Sequence, residues 1–137
     1  MSSSDKFDWY EFYKVADSFS NSNNPAELRS GISRFYYAAF GSCKEYIIEH
    51  RLWGDDEKLK KDMTEKSAKV HEATAEIFWN NVYLNRHVDG RKIGRILNDI
   101  RKKRNDADYK SDKYNVKHAF AVVKSRVDQL FVEFNKL

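Results

Sequence analysis

Arg104 stands where a helix pattern asks for something apolar. Upstream of it, Ile93, Ile96, Leu97 and Ile100 recur at the three-and-four spacing of a helix face turned towards a core. Stepping that face forward by four reaches Arg104, and a further three or four reaches Ala107 and Asp108. A guanidinium on or beside a buried stripe needs a carboxylate, a phosphate or several hydrogen-bond acceptors, because an unpaired buried charge costs at least several kcal/mol, roughly. Asp108, one turn on, is the internal partner that the spacing offers. Arg followed by an acid is the weaker orientation of an i,i+4 pair. Two outcomes therefore stay open: a structural Arg104–Asp108 pair, or an Arg104 held ready for an external anion.

Other chemistries are less well served. His71-Glu72-Ala73-Thr74-Ala75 begins like a zinc-protease helix, but Ala75 occupies the second ligand position, so half of the imidazoles are missing and no metal site is expected. Gly90-Arg91-Lys92-Ile93-Gly94 lacks the glycine spacing of a phosphate-binding loop. His50, His87 and His118 are scattered, and no Ser, Cys or carboxylate pair reads as a nucleophile; no cofactor is implied. The single Cys43 falls on an apolar helix stripe, as a small buried hydrophobe would. Cations crowd one segment: Arg86, Arg91, Lys92, Arg95, Arg101, Lys102, Lys103 and Arg104 face only Asp89 and Asp99 there, although the net charge of the whole chain is a modest +4.

The elements that must position these groups are helices. The chain has 137 residues, 41% hydrophobic and 34% charged, with one Pro and five Gly, which favours one domain of long amphipathic helices over a many-stranded fold. Phe7, Trp9, Tyr10, Phe12, Tyr13, Ala16 and Phe19 give a first helix over about residues 5–20, capped by Ser4 or Asp5. Asn24-Pro25-Ala26-Glu27 is a helix start with Pro in the first turn and an acid placed to close a capping box. It opens a long central helix to about His50 or Arg51, with Leu28, Ile32, Phe35, Tyr36, Ala39, Cys43, Tyr46 and Ile47 on one face. The other side carries Ser30, Ser33, Arg34 and Tyr37, and Gly31, Ala38 and Gly41 are small enough for a second helix to approach, either within the bundle or from a second subunit. A third helical segment, weak at Leu59 and Met63 and firm from Val70, ends near Asn80 or Asn81; Trp79 to Val88 is irregular. Asp89 caps a fourth helix to about Ala107, a turn follows from Tyr109 to Asp112, and Val116, Phe120, Val123, Val127, Leu130, Phe131 and Phe134 mark the last helix. The expectation is an all-α, up-and-down bundle of about five helices over residues 1–137.

Two of these helices carry a paired signature. Arg29-Ser30-Gly31-Ile32-Ser33-Arg34-Phe35-Tyr36-Tyr37-Ala38-Ala39-Phe40 and Ile100-Arg101-Lys102-Lys103-Arg104-Asn105-Asp106-Ala107-Asp108-Tyr109 resemble the HEPN superfamily, and within it the small stand-alone domains of the SR-x-YYA and R-x-x-ADY type. The similarity covers most of the chain as an order of helices and is specific in those two segments. The resemblance implies a homodimer with Arg104 near the interface and RNA or a nucleotide as ligand. It also implies a role in a prokaryotic toxin–antitoxin or phage-defence system, with a nucleotidyltransferase antitoxin or another defence protein as a partner. Many such relatives are metal-independent endoribonucleases whose signature is Arg followed four to six residues later by His. Arg104 and Asn105 match its beginning, but Tyr109 and Lys110 stand where His is expected. A tyrosine with an ordinary pKa of about 10 is a poor base at neutral pH, so at most weak cleavage is expected.

On this basis Arg104, Asn105 and Tyr109 are the candidate catalytic residues. Arg34, Tyr37, Arg101 and Arg104 are the candidate RNA- or anion-binding residues, and Ser33 and Asp108 are structural partners. The alternative is a non-catalytic, dimerising interaction module that binds a partner protein. Neither a secretory leader nor a membrane span is recognisable, so a cytoplasmic chain is expected.

Overall fold

The computed structural model describes residues 7–109 and 115–137, and these form an all-helical bundle. There are six α-helices among them where about five were expected. They are α1 (Tyr10–Asp17), α2 (Pro25–His50), α3 (Glu57–Thr64), α4 (Val70–Asn80), α5 (Gly90–Tyr109) and α6 (Val116–Phe134), with a 3-10 turn at Leu84–Arg86 inside the irregular stretch.

The extra helix comes from a break in the expected third segment. Asp56 caps α3 by accepting from the Leu59 amide at 3.0 Å. Thr64 turns its hydroxyl back to the Lys60 carbonyl at 2.7 Å, Glu65 is extended, and Ser67 Oγ accepts the Lys69 amide at 3.1 Å. Met63 is the one fully buried residue of α3, so there is too little apolar surface to hold a continuous helix through these competing side-chain bonds.

The start of α2 is as expected at Asn24, whose Oδ1 accepts from the Ala26 amide at 2.9 Å, but the capping box is not closed directly. Glu27 instead accepts from the Ser22 hydroxyl at 2.7 Å, and Ser22 Oγ accepts the Asn24 amide at 3.0 Å, so Ser22 relays the contact. Asp8 Oδ1 takes the Tyr10 amide at 3.0 Å at the start of α1; the caps expected at Ser4 or Asp5 lie outside the described residues, as does most of the turn after Tyr109. Asp89 caps α5 through the Lys92 amide at 3.0 Å.

Cross-helix contacts give the topology. Trp9 lies over Gly41 while the Tyr13 ring is 5.1 Å from Phe35, so α1 runs antiparallel to α2. Phe35–Phe120 at 5.2 Å and Tyr46–Phe134 at 5.9 Å make α6 parallel to α2. Between these two, α5 runs the other way: Arg29 at the start of α2 donates to the Ala107 carbonyl at the end of α5, and Arg126 meets Asp99 at 3.2 Å while the Asp89 amide meets Glu133 at 2.9 Å. Helix α4 lies along α5 in the opposite sense, with Ala75 beside Gly94 and Phe78 beside Gly90. Asn81 donates to the Leu52 carbonyl at 3.1 Å and His71 stacks on Phe40 at 4.2 Å, so α4 is parallel to α2 and α3 carries the chain back between them.

The core is the common inner surface of α2, α4, α5 and α6. Ile93, Ile96, Leu97 and Ile100 are all buried, as the spacing predicts, and each contributes about 1.5–3 kcal/mol by leaving water. Cys43 is buried, and burial pushes its thiol far above the usual range, in keeping with a packing role. Among the described residues no helix is long and apolar enough to cross a membrane.

Candidate functional site

Because α5 is antiparallel to α2 and locked to it by Arg29, the face that holds Ile100 carries Arg104 against the middle of α2. Its guanidinium carbon lies 5.1 Å from the centre of the Tyr37 ring and 5.9 Å from that of Tyr36, both distances at which a ring face attracts a cation. Asp108 is 3.6 Å from Nε, with 24% of the Arg104 side chain and 34% of the Asp108 side chain exposed. That is an ion pair but too long for a hydrogen bond. Arg104 Nε is buried and has no hydrogen-bond partner among the described residues.

A histidine completes the cluster. Tyr36 is buried, and its hydroxyl is 2.5 Å from Nδ1 of His71, the second residue of α4. The imidazole stacks on Phe40 at 4.2 Å and lies 5.6 Å from the Tyr36 ring. Burial, and then the positive charges of Arg101, Arg104 and Lys44, hold its pKa down to about 4. Burial also raises the Tyr36 phenol, although Arg101 and Arg104 pull against it. With the imidazole proton on Nε2, the Tyr36 O–H donates and Nδ1 accepts; with it on Nδ1, the direction reverses. In the first tautomer His71 offers Nε2–H as a donor at neutral pH. Arg104 and Arg101 supply donors and positive charge, and His71, with its pKa held down to about 4, is a weak base, which suits holding an oxyanion better than attacking one.

The expected site residues divide between two adjoining places. Arg101, half-buried one turn before Arg104, acts electrostatically on the same imidazole and phenol. Tyr37 borders both Arg104 and an open groove of about 450 Å³, which Trp9, Phe12, Ser30, Ser33 and Arg34 also line. In that groove the Arg34 guanidinium lies 5.8 Å from the Phe12 ring centre, and its Nε is also buried without a hydrogen-bond partner among the described residues. Asn105 and Tyr109 are exposed, Tyr109 by 86%, so neither packs into the cluster. Asp108 pairs within its own helix with Arg104, and the α2–α5 tie falls to Arg29 and the Ala107 carbonyl.

His71 was legible by the step that found Arg104. Going back from Phe78 by four and then three passes through Thr74, both fully buried, and lands on His71. The sequence reading tested it only as half of a zinc motif and missed it. His50, His87 and His118 are exposed. Among the described residues no three His, Cys, Asp or Glu side chains gather as a metal site.

The small residues of α2 are used inside the chain. A Cβ on Gly41 would overlap the Trp9 indole and one on Gly31 would overlap the Phe120 ring, while Ala38 is buried. Ser30, Ser33 and Tyr37 remain at the surface of the groove. The fold and site together define an all-helical bundle carrying a cation–aromatic cluster between its second, fourth and fifth helices. Comparison of the chain with protein-family models, with curated proteins and with solved structures finds no match.

Proposed function

We propose that this chain is a HEPN-like protein that binds RNA or a nucleotide through the phosphate, using Arg104 and Arg101 with His71 as an additional donor, and that it serves a prokaryotic toxin–antitoxin or phage-defence system. The observation that carries the binding assignment is the state of Arg104: a largely buried guanidinium, held by two tyrosine rings, whose carboxylate neighbour is beyond hydrogen-bond distance and whose Nε has no acceptor among the described residues. Desolvated cations in that condition gain most from an incoming anion. Cleavage is weak or absent, because the one imidazole of the cluster among the described residues has its pKa held down to about 4 and is a weak base at neutral pH. The test is binding of a nucleoside monophosphate and of a short RNA to the parent chain and to Arg104→Ala. Binding that is unchanged by the substitution removes the assignment.

The groove beside Arg34 supports a second proposal, that the chain forms a homodimer across α1 and α2. Its aromatic lining and the unsatisfied Arg34 Nε are better covered by protein than by water. Light scattering at tens of micromolar should give twice the chain mass, and a monomer would exclude this assembly. A dimer that binds a protein partner but neither RNA nor nucleotide would instead make the chain an interaction module.

A further inference from the structure

Helix α5 carries a second feature that the Arg104 cluster does not use. Arg91, Arg95, Asn98, Lys102, Asn105 and Tyr109 recur at alternating steps of four and three, which puts them on one side of the helix, and all six are exposed. No acid interrupts this stripe. A solvated helix face ordinarily interleaves charges of both signs, whereas here no acid falls on the stripe itself; Asp99 and the half-buried Asp106 border it, one turn before and one turn after Lys102. Asp99 is held by Lys103 at 3.6 Å and Arg126 at 3.2 Å on the side facing α6, and Asp108 is held by Arg104.

One end of the stripe is aromatic. Arg91 and Arg95 both hold their guanidinium carbons over Trp79, at 5.9 and 5.8 Å from a ring centre, and Trp79 is still 38% exposed. Tyr83 is exposed nearby in sequence, by 53%. At the other end Arg101 borders the stripe, between Asn98 and Asn105, whereas Arg104 faces α2 on the far side of the helix. From Arg91 to Tyr109 is about 27 Å of helix at about 1.5 Å per residue.

We propose that this stripe is a track for the backbone of single-stranded RNA, running along α5 from Trp79 to Arg101 of the cation cluster. The proposal rests on the reading of that cluster as a phosphate site and extends it along the helix. Spaced cations without acids fit a polyanion, and exposed rings stack only on bases that are not already paired. Asn98 and Asn105, one turn before and after Lys102, carry amides able to meet a ribose 2′-hydroxyl, which distinguishes RNA from DNA.

The experiment is fluorescence anisotropy on the full chain with single-stranded RNA of about 12 nucleotides, within the usual range for such tracks, and with a mononucleotide, over about 50–200 mM salt. Arg91→Gln/Arg95→Gln is compared with Arg104→Ala; both altered arginines of the first variant are exposed, and an unchanged circular dichroism melt confirms its fold. For the longer RNA, the double variant should lower the slope of log affinity against log salt by about 1.4, at about 0.7 per lost phosphate contact, while mononucleotide binding stays as in the parent. An unchanged slope overturns the track even if Arg104→Ala abolishes mononucleotide binding, whereas the reverse pattern keeps the track and removes the Arg104 assignment. Equal affinity for duplex RNA or for DNA of the same length overturns the single-stranded RNA assignment. Equal competition by polyglutamate reassigns the stripe to an acidic protein.

Discussion

The Tyr36 hydroxyl and His71 Nδ1, 2.5 Å apart, join the helix bearing the aromatic rings to a helix that the chain reaches only by way of α3. Packing holds both partners: Tyr36 is buried, and the imidazole stacks on Phe40. The imidazole's response to pH is set by its burial and by the positive charges of Arg101, Arg104 and Lys44.

The folded-state pKa of His71, about 4, lies below its ordinary 6.5, so below pH 6.5 the unfolded chain binds more protons than the folded one. Its contribution to stability is complete above pH 6.5, falls as the pH drops, and is lost as the pH passes through about 4. Glu133, lowered by its bonds to Lys136 and to the Asp89 amide, adds loss of the same sign at lower pH. Thermal melts from pH 7 to 4 should show this decline, and His71→Asn, which keeps an acceptor for Tyr36 but does not titrate, should flatten its upper part. An imidazole resonance titrating near 6.5 in the folded chain would refute the assignment.

Phosphate should move that titration. An anion between the arginines offsets their repulsion of the imidazolium, so the His71 midpoint should rise when a nucleoside monophosphate is added. The same nuclear magnetic resonance titration on Arg104→Ala should show a much smaller rise.

Arg104→Ala should weaken nucleotide binding by about 1–3 kcal/mol, the scale of a hydrogen bond to a charged group. Its effect on stability should be at most about 1 kcal/mol, because Asp108 is left at the surface and accessible to water. Asp108→Asn should leave the melting temperature nearly unchanged and binding equal or tighter. A loss of about 3–5 kcal/mol in Arg104→Ala, the signature of a stranded buried partner, would make the pair structural.

RNA incubated with the purified chain should be cut slowly or not at all, and any cleavage should be indifferent to chelator. Fast, chelator-sensitive cleavage on a denaturing gel would mean that a metal site had been overlooked.

Gly41→Ala should destabilise the monomer fold by about 1–3 kcal/mol through overpacking against Trp9, with the solution mass unaltered. A change of mass with an unchanged melting temperature would return Gly41 to an intersubunit role.

How much of this was legible in the sequence depended on whether the determining contacts are local. The helix class, the Asn24 and Asp89 starts and the buried face from Ile93 to Ile100 follow from caps and periodicity, which act over a few residues. Arg104 was visible because it violated that periodicity. The break between α3 and α4 was hidden: it depends on side-chain bonds of Thr64 and Ser67 outcompeting helix in a stretch with little to bury. So was the pairing of Tyr36 with His71, which are separated by 35 positions and meet only because α4 lies parallel to α2. The small residues of α2 announced a close approach, yet nothing local distinguishes a partner subunit from the chain's own Trp9 and Phe120.

Gly94 has a consequence of its own. The backbone carbonyl of Ala75 would lie 2.8 Å from a Cβ there, and a rigid backbone oxygen cannot rotate aside. The hydrogen atom that stands in for a side chain works as a shim between the helix bearing the imidazole and the helix bearing the guanidinium. Arg104 lies about 15 Å further along the same axis at about 1.5 Å per residue, so a methyl group at position 94 would tilt one carrier against the other and alter the reach of the cluster. The geometry of the cluster thus depends on a position that contributes no side chain to it.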